Sequence, residues 1–308
     1  MSLIEQAAKR LEQLRQAGVE LPEEPAVSSV TSHDELRPST QQPVVTRHSE
    51  AATPKHAPAA TKSPEIKLDL VAISASGLLV PDAARSQLAD EFRVIKRPLI
   101  ANAMGKGVTP IPNGNLIMVT SALPGEGKSF SAINLAISIA MELDNTVMLV
   151  DADVARPSVL NMLGLPPSKG LLDVLEQNSV DISGVLLRTN IEKLSILPSG
   201  TPHPRATELL ASDTMVRLLD DMARRYSDRI IIFDSPPLLL TTESRVLATH
   251  MGQVVIIVNA GNTLQAAVKQ AIATIESCPI KMMVLNQVRA ANVDGYGYGY
   301  GYGYGHDK

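Results

Sequence analysis

Six apolar runs mark the chain from residue 116 onward: "LIMVTS" (116–121), "TVMLVD" (146–151), "LSILPS" (194–199), "RIIIFD" (229–234), "VVIIVN" (254–259) and "KMMVLN" (281–286). Their apolar residues are mostly consecutive rather than alternate, the pattern of strands buried on both faces. Between several of them lie stretches with helical spacing: "SFSAINLAISIAMEL" (129–143), "ATELLASDTMVRLLDDMARRY" (206–226) and "TLQAAVKQAIATIES" (263–277). Buried strands alternating with helices predict an α/β fold, a mostly parallel sheet covered on both faces. Right-handed crossovers make it doubly wound, with the ligand site expected at the C-terminal ends of the strands.

Upstream, "PDAARSQLADEFRVIKRPLIANAMG" (81–105) predicts a helix entered through Pro81, with Leu88, Phe92, Ile95 and Leu99 on one face. "KLDLVAI" (67–73) reads as a strand or a docking segment. Residues 19–65 are rich in Pro, Ser, Thr and Ala and predict a flexible linker. Before them, Leu3, Ile4, Ala7, Ala8, Leu11 and Leu14 recur at helical spacing, with Gly18 as a stop. The expected organisation is an amphipathic helix (1–18), a linker (19–65), a folded domain (66–290) and a tail (291–308).

Composition narrows the classes. A net charge of -4 and a pI near 5.9 give no general reason to expect nucleic-acid binding. A single cysteine, Cys278, excludes an internal disulfide and a cysteine metal site, and the six histidines show no metal-ligand spacing. No apolar run approaches the roughly 18–20 residues of a membrane span, and the charged N-terminus lacks a signal-peptide pattern. A cytoplasmic location is expected. The tail is the oddity: "DGYGYGYGYGYGHDK" holds five of the six tyrosines, Tyr296, Tyr298, Tyr300, Tyr302 and Tyr304. Glycine at alternate positions supplies no side chain to pack and costs backbone entropy on ordering. The segment is either low-complexity filler or a row of accessible phosphate acceptors.

The chemistry sits at the strand ends. The first strand runs into "TSALPGEGKSFS", whose Gly127, Lys128 and Ser129 form the G-K-S of a P-loop between a strand and a helix. Backbone N–H groups and the helix N-terminus would cradle phosphates, Lys128 would reach the β- and γ-phosphates, and Ser129 would ligate Mg²⁺. The usual first glycine is replaced by Ala122, small enough for the turn if its φ is negative. The second strand ends in "VMLVDADVARP", with Asp151 and Asp153 at its tip. Two carboxylates so close repel unless a cation or a proton lies between them. "RIIIFDSPP" places Asp234 after a buried strand, the pattern of an acid that holds Mg²⁺ through water. One such Asp reads equally well as a helix N-cap; three beside a P-loop point to a Mg-nucleotide.

The P-loop, "DAD…RP", "FDSPP" and the tyrosine cluster together resemble the bacterial tyrosine kinases of the P-loop type, which control capsule and exopolysaccharide assembly. That family's loop reads A-x-x-P-G-E-G-K-[ST], which "ALPGEGKS" fits, so Ala122 becomes a family feature. "GLLDVL", "LPSG", "ELLAS" and "VLNQV" are also similar, and the N-terminal helix and linker look similar to the subfamily of exosortase (PEP-CTERM) exopolysaccharide loci. The resemblance implies ATP and Mg²⁺ as cofactors. It implies nucleotide contacts from Ala122, Pro124, Gly125, Glu126, Gly127, Lys128, Ser129, Phe130 and Asn286. Asp151 is implied as acceptor of the tyrosine proton, and Asp153 and Asp234 as Mg²⁺ holders. Asp90, Arg93 and Lys96 stand where relatives carry E-x-x-R-x-x-R, a subunit contact of ring assemblies. Implied partners are further copies of the chain, a membrane chain-length regulator that activates the kinase, and a phosphatase, which puts the protein beside the inner membrane. Two rival readings use the same motifs: a ParA/MinD-like switch ATPase and a non-catalytic nucleotide-binding regulator. The ATPases carry a signature lysine where this chain has Leu123, and they have no use for a tyrosine tail.

Overall fold

The computed structural model describes residues 63–288 apart from 84–85, 108, 177–180 and 226–228, all within the second of the chain's two units, Ala57–Lys308. The expected N-terminal helix, nearly all of the linker and the five tail tyrosines lie outside the described residues. In chain order the elements are α1 (Leu70–Ala75), α2 (Gln87–Ala103), β1 (Leu116–Ser121), α3 (Lys128–Ala140), β2 (Thr146–Asp151), α4 (Val159–Met162), α5 (Leu171–Glu176), β3 (Leu187–Arg188), β4 (Leu194–Leu197), α6 (Ala206–Leu210), α7 (Asp213–Arg225), β5 (Arg229–Asp234), α8 (Thr242–Ala248), β6 (Gln253–Asn259), α9 (Gln265–Ala273) and β7 (Ile280–Asn286).

The strands form one sheet in the order β3-β4-β2-β5-β1-β6-β7, parallel throughout except for the short β3 against β4. All six predicted strands are present. Consecutive strand residues feed opposite cores. Ile117 and Val119 pack with Ile73, Phe92, Leu99, Ile133 and Ile137 of α1–α3. Leu116 and Met118 pack with Met215, Leu219, Leu247 and Ala271 of α7–α9. A strand with a core on each side has no polar face, which is why these runs read as continuous apolar stretches; the edge strand β7 is the exception, its Met282 and Val284 packing inward while Met283 and Leu285 stay exposed.

The topology sets up the site. The chain leaves β1, crosses to β2 two places away, and later returns to insert β5 between them. Three parallel strands therefore end side by side. Their register pairs Asp151 of β2 with Asp234 of β5, and Asp234 with Val119 of β1. Carboxylates 83 positions apart in sequence become neighbours through backbone pairing alone.

Some local expectations are corrected. "KLDLVAI" is not a strand but docks on the core through buried Leu68 and Ile73, and it is partly helical: Asp69 caps a helix, accepting from the N–H of Val71 and Ala72 at 3.0 and 3.1 Å. The 81–105 helix starts only at Gln87, where Ser86 Oγ accepts from Ala89 N; Pro81–Ala83 forms a separate 3₁₀ turn. The 206–226 stretch is two helices, broken where Ser212 Oγ accepts from Met215 N at 3.3 Å. On α2, Leu88 and Ile95 are half-buried, whereas Lys96 is 5% exposed.

Lys96 is also a correction to the expected subunit contact. Its ammonium points into its own subunit, donating to the carbonyl of Ser138 in the last turn of α3 and lying 2.8 Å from Glu142 Oε1. A cation at a helix C-terminus meets both unpaired carbonyls and the negative end of the dipole. Asp90 and Arg93 pair with each other on the exposed face of the same helix. Lys96→Ala is therefore expected to lower unfolding stability by about 1–3 kcal/mol, and Arg93→Ala by less than about 1 kcal/mol, as read from urea denaturation of the two variants.

Candidate functional site

β1 delivers the chain into a loop, Ala122–Gly127, that turns back over the strand end before α3 begins. Gly125 and Gly127 make the turn with φ of 81° and 90°, a region that side chains resist. Gly127 is doubly constrained, because a Cβ there would meet Asn286 Nδ2 at 2.1 Å. Ala122 is fully buried and has no positive φ, so the substituted glycine costs the turn nothing. The first helical rung of α3 is Ser131 N to Gly127 O, at 3.0 Å. The N–H groups of Lys128, Ser129 and Phe130 thus lack helical acceptors and present a cradle for an anion. The Phe130 ring itself packs toward the core on the α1–α3 side. Pro124 is exposed at the loop's outer edge.

Glu126 faces away from that cradle. It is 2% exposed, and its carboxylate accepts from Leu123 N at 2.7 Å, from Thr263 Oγ1 and from Asn259 N at 3.4 Å. Asn286 Nδ2 donates to the carbonyl of Glu126 at 2.9 Å, and Gln287 Nε2 to that of Gly125 at 3.3 Å. Glu126 and Asn286, both expected at the nucleotide, bind the loop to the ends of β6 and β7. Asn259, Thr263 and Gln287 complete this fastening, and nothing in their sequence context announced it.

The three acids converge on Lys128. Its Nζ lies 2.6 Å from Asp153 Oδ2 and 3.7 Å from Asp234 Oδ1. Asp153 Oδ1 also accepts from Arg156 N at 3.1 Å. Asp151 uses Oδ2 to accept from Ser158 N and Val159 N, both at 3.1 Å, at the start of α4. Its Oδ1 and both oxygens of Asp234 are buried without a hydrogen-bond partner. Ser129 Oγ lies 3.3 Å from Lys128 Nζ and accepts from Ser158 Oγ at 2.8 Å. Ser158 was missed in the sequence; it lies seven residues past Asp151, with no motif of its own.

The electrostatics follow from burial. Burial first, then repulsion from Asp234 and Asp153, pushes the Asp151 carboxyl up to about 7 against the pull of the Val159 and Ser158 N–H groups. Asp234 rises to about 6, also through burial, with Lys128 and Ser129 holding it down. Burial works against the Lys128 charge, but Asp234, Asp153 and Asp151 outweigh it and raise its pKa. Among the described residues no set of three His, Cys, Asp or Glu side chains forms a metal cage. What is present is three buried carboxylate oxygens without a hydrogen bond, one of them 3.7 Å from Lys128, and a serine hydroxyl beside an anion cradle. Hard oxygen donors in that number suit Mg²⁺, which keeps waters and takes other ligands from phosphates.

Comparison with known proteins agrees with this geometry. Residues 114–286 match the AAA domain family. The chain is 35% identical over 164 residues to tyrosine-protein kinase YwqD of Bacillus subtilis (strain 168), across 52% of this chain and 68% of YwqD. It is 32% identical over 188 residues to the succinoglycan biosynthesis transport protein ExoP of Rhizobium meliloti (strain 1021), across 60% of this chain but 23% of ExoP. The kinase domain of the Escherichia coli tyrosine kinase ETK superposes with a TM-score of 0.60 at 25% identity, over 72% of this chain and 84% of that domain. With its P-loop, paired strand-end acids and parallel sheet, the chain belongs to the bacterial P-loop tyrosine-protein kinase family.

Proposed function

We propose that the protein transfers the γ-phosphoryl group of ATP to Tyr296, Tyr298, Tyr300, Tyr302 and Tyr304 of a neighbouring copy, and so regulates exopolysaccharide synthesis or export. The observation that carries this reading is Lys128 held between Asp153 and Asp234 at the mouth of a phosphate cradle, beside three buried carboxylate oxygens without a hydrogen bond. The kinase names of relatives and the tyrosine tail favour phosphoryl transfer over a switch ATPase, and Leu123 removes the switch ATPases' signature lysine.

Ser129, Asp153 and Asp234 would hold Mg²⁺, whose charge offsets that of the phosphate oxygens. Lys128 supplies a second positive charge at the γ-phosphate, where it counts most because the site is largely dry. Asp151 divides its two oxygens: Oδ2 is fixed by backbone N–H groups, and Oδ1 is free to take a proton. As the phenolic oxygen bonds to the γ-phosphorus, the bond from phosphorus to the β–γ bridging oxygen breaks. The phenolic proton passes to Asp151, and ADP leaves.

The tail supplies the acceptors. From Gln287 to Tyr304 is 17 residues, a reach of at most about 60 Å. Tethering in an assembly raises the acceptor concentration to roughly the millimolar range. Five phosphates would add on the order of -8 to -10 charges, enough to loosen packed subunits and drive a cycle of assembly and release. The exposed Asp90–Arg93 pair is a candidate contact in such an assembly. No described helix is long and apolar enough to cross a membrane. Contact with the membrane would run through a chain-length regulator, and reset through a phosphatase.

Intact-mass spectrometry of dephosphorylated protein after incubation with Mg-ATP tests the reading. A ladder of phosphate-sized steps is expected, absent when residues 295–305 are deleted. Lys128→Met is expected to slow it by at least about 10²-fold, and Asp151→Asn by about 10²- to 10⁴-fold. ADP accumulation without added mass in the unaltered protein would leave a switch ATPase.

The buried acids give a second expectation. The folded carboxyls of Asp151 and Asp234, at about 7 and about 6, lie above their usual value of 3.8. The folded state therefore binds protons that the unfolded chain has already released. That stability is fully present below the unfolded value and is lost as pH rises through 6 and 7. Chelator-treated protein should lose about 1–3 kcal/mol of unfolding stability between pH 5 and pH 8. Asp234→Asn should flatten that slope, and Mg²⁺ with ADP should stabilise more at pH 8 than at pH 5. A stability that rises across this interval would contradict the assignment.

A further inference from the structure

Beside the cradle opens a pocket of about 400 Å³. Lys128, Asp153, Arg156, Ser158 and Thr241 supply its polar lining, but most of its wall is apolar: Pro124 from the P-loop, and Pro236, Pro237 and Leu240 from the loop after β5. Lys128 and Arg156 suit phosphate, whereas the proline and leucine wall beside them suits an apolar group. The wall is preformed. Thr120 Oγ1 donates to the carbonyl of Pro236 at 2.7 Å, and Leu238 N to the carbonyl of Ser121 at 2.8 Å, pinning the loop to the end of β1. Arg245 Nε, on α8, holds the carbonyl of Leu238 at 2.9 Å. Pro236 and Pro237 are buried from behind, whereas Leu240 is 61% exposed at the pocket. A large apolar side chain left in water on a pinned loop is poised to cover another apolar group.

We infer that this pocket is the acceptor subsite: Pro124, Pro236, Pro237 and Leu240 clasp the ring of a tyrosine and direct its hydroxyl toward Lys128 and the acids. The inference rests on the kinase reading and adds to it the means of choosing the acceptor. A phenol has the required shape, a flat apolar body with one oxygen at its tip. Serine is too short to fill the walls, and water gains nothing from them. The occupant is a tail tyrosine of a second copy. Its glycine neighbours carry no side chain to collide with the rim, so recognition lies in the ring and not in the flanking sequence. Any of the five can then take the same place in turn.

The test uses the full chain and two synthetic probes, a Gly-Phe repeat peptide and a Gly-Ser repeat peptide. Phenylalanine has the ring without the hydroxyl, so the first should block autophosphorylation without competing with ATP, and the second should not block it. Leu240→Ser, at an exposed position, should raise the Gly-Phe concentration needed for half-inhibition by about 5- to 10-fold. Its affinity for a fluorescent ATP analogue should stay unchanged. Equal inhibition by both peptides, competition with ATP, or an unaltered Leu240→Ser response would overturn the subsite while the kinase reading stands. An unaltered chain that forms ADP but never phosphotyrosine overturns the kinase reading, and the subsite with it.

Discussion

One ammonium holds together a cluster that would otherwise drive itself apart. Parallel pairing of β2 with β5 brings Asp151 and Asp234 into register, and the turn after β2 adds Asp153. Lys128 pairs with both Asp153 and Asp234. Its charge opposes theirs only in part, as the upward displacement of Asp151 and Asp234 records. The sheet is deeply packed on both faces, so this strain is borne by a rigid frame. A site left short of positive charge in this way favours a divalent cation with its phosphates over the empty state.

The same rigidity distinguishes what surrounds the cluster. On one flank the P-loop is fastened through Glu126, Asn286 and Gln287 to β6 and β7. On the other, the Pro236–Pro237 segment is tied to β1 and α8. Donors that do not reorganise during reaction are the principal electrostatic asset of a phosphoryl-transfer site. A wall that does not reorganise is likewise a way of keeping stray water from the γ-phosphate.

The layout was legible where one force dominated. Five of the six predicted strands lie between two cores, so their apolar runs had a single explanation; β7, at the sheet edge, buries only one face and leaves Met283 and Leu285 exposed. The acids were legible because charge at a buried strand end is costly without a purpose. Failures arose where two roles share a residue type. Asp69 is a cap, but its neighbours Leu68 and Leu70 resembled a strand. Ser212 breaks a helix through one hydroxyl in an otherwise unbroken apolar periodicity. Lys96 was placed at a subunit contact by resemblance, whereas its side chain is buried and its ammonium meets the end of α3. Glu126 was read as a ligand contact for its place in the P-loop; the sequence did not show that its carboxylate also reaches Asn259 and Thr263, more than 130 positions away. Long-range side-chain pairing of that kind leaves no local periodicity to read.

Gly127 joins the two ends of the kinase domain. The space its missing side chain leaves is occupied by the amide of Asn286, the last residue of the last strand. Catalytic loop and chain exit are therefore interlocked like a key and its ward. Neither position can change its size alone: a bulkier residue at 127 expels the amide, and a smaller one at 286 leaves the loop unsupported. The end of β7 and the loop that forms the anion cradle are one mechanical part.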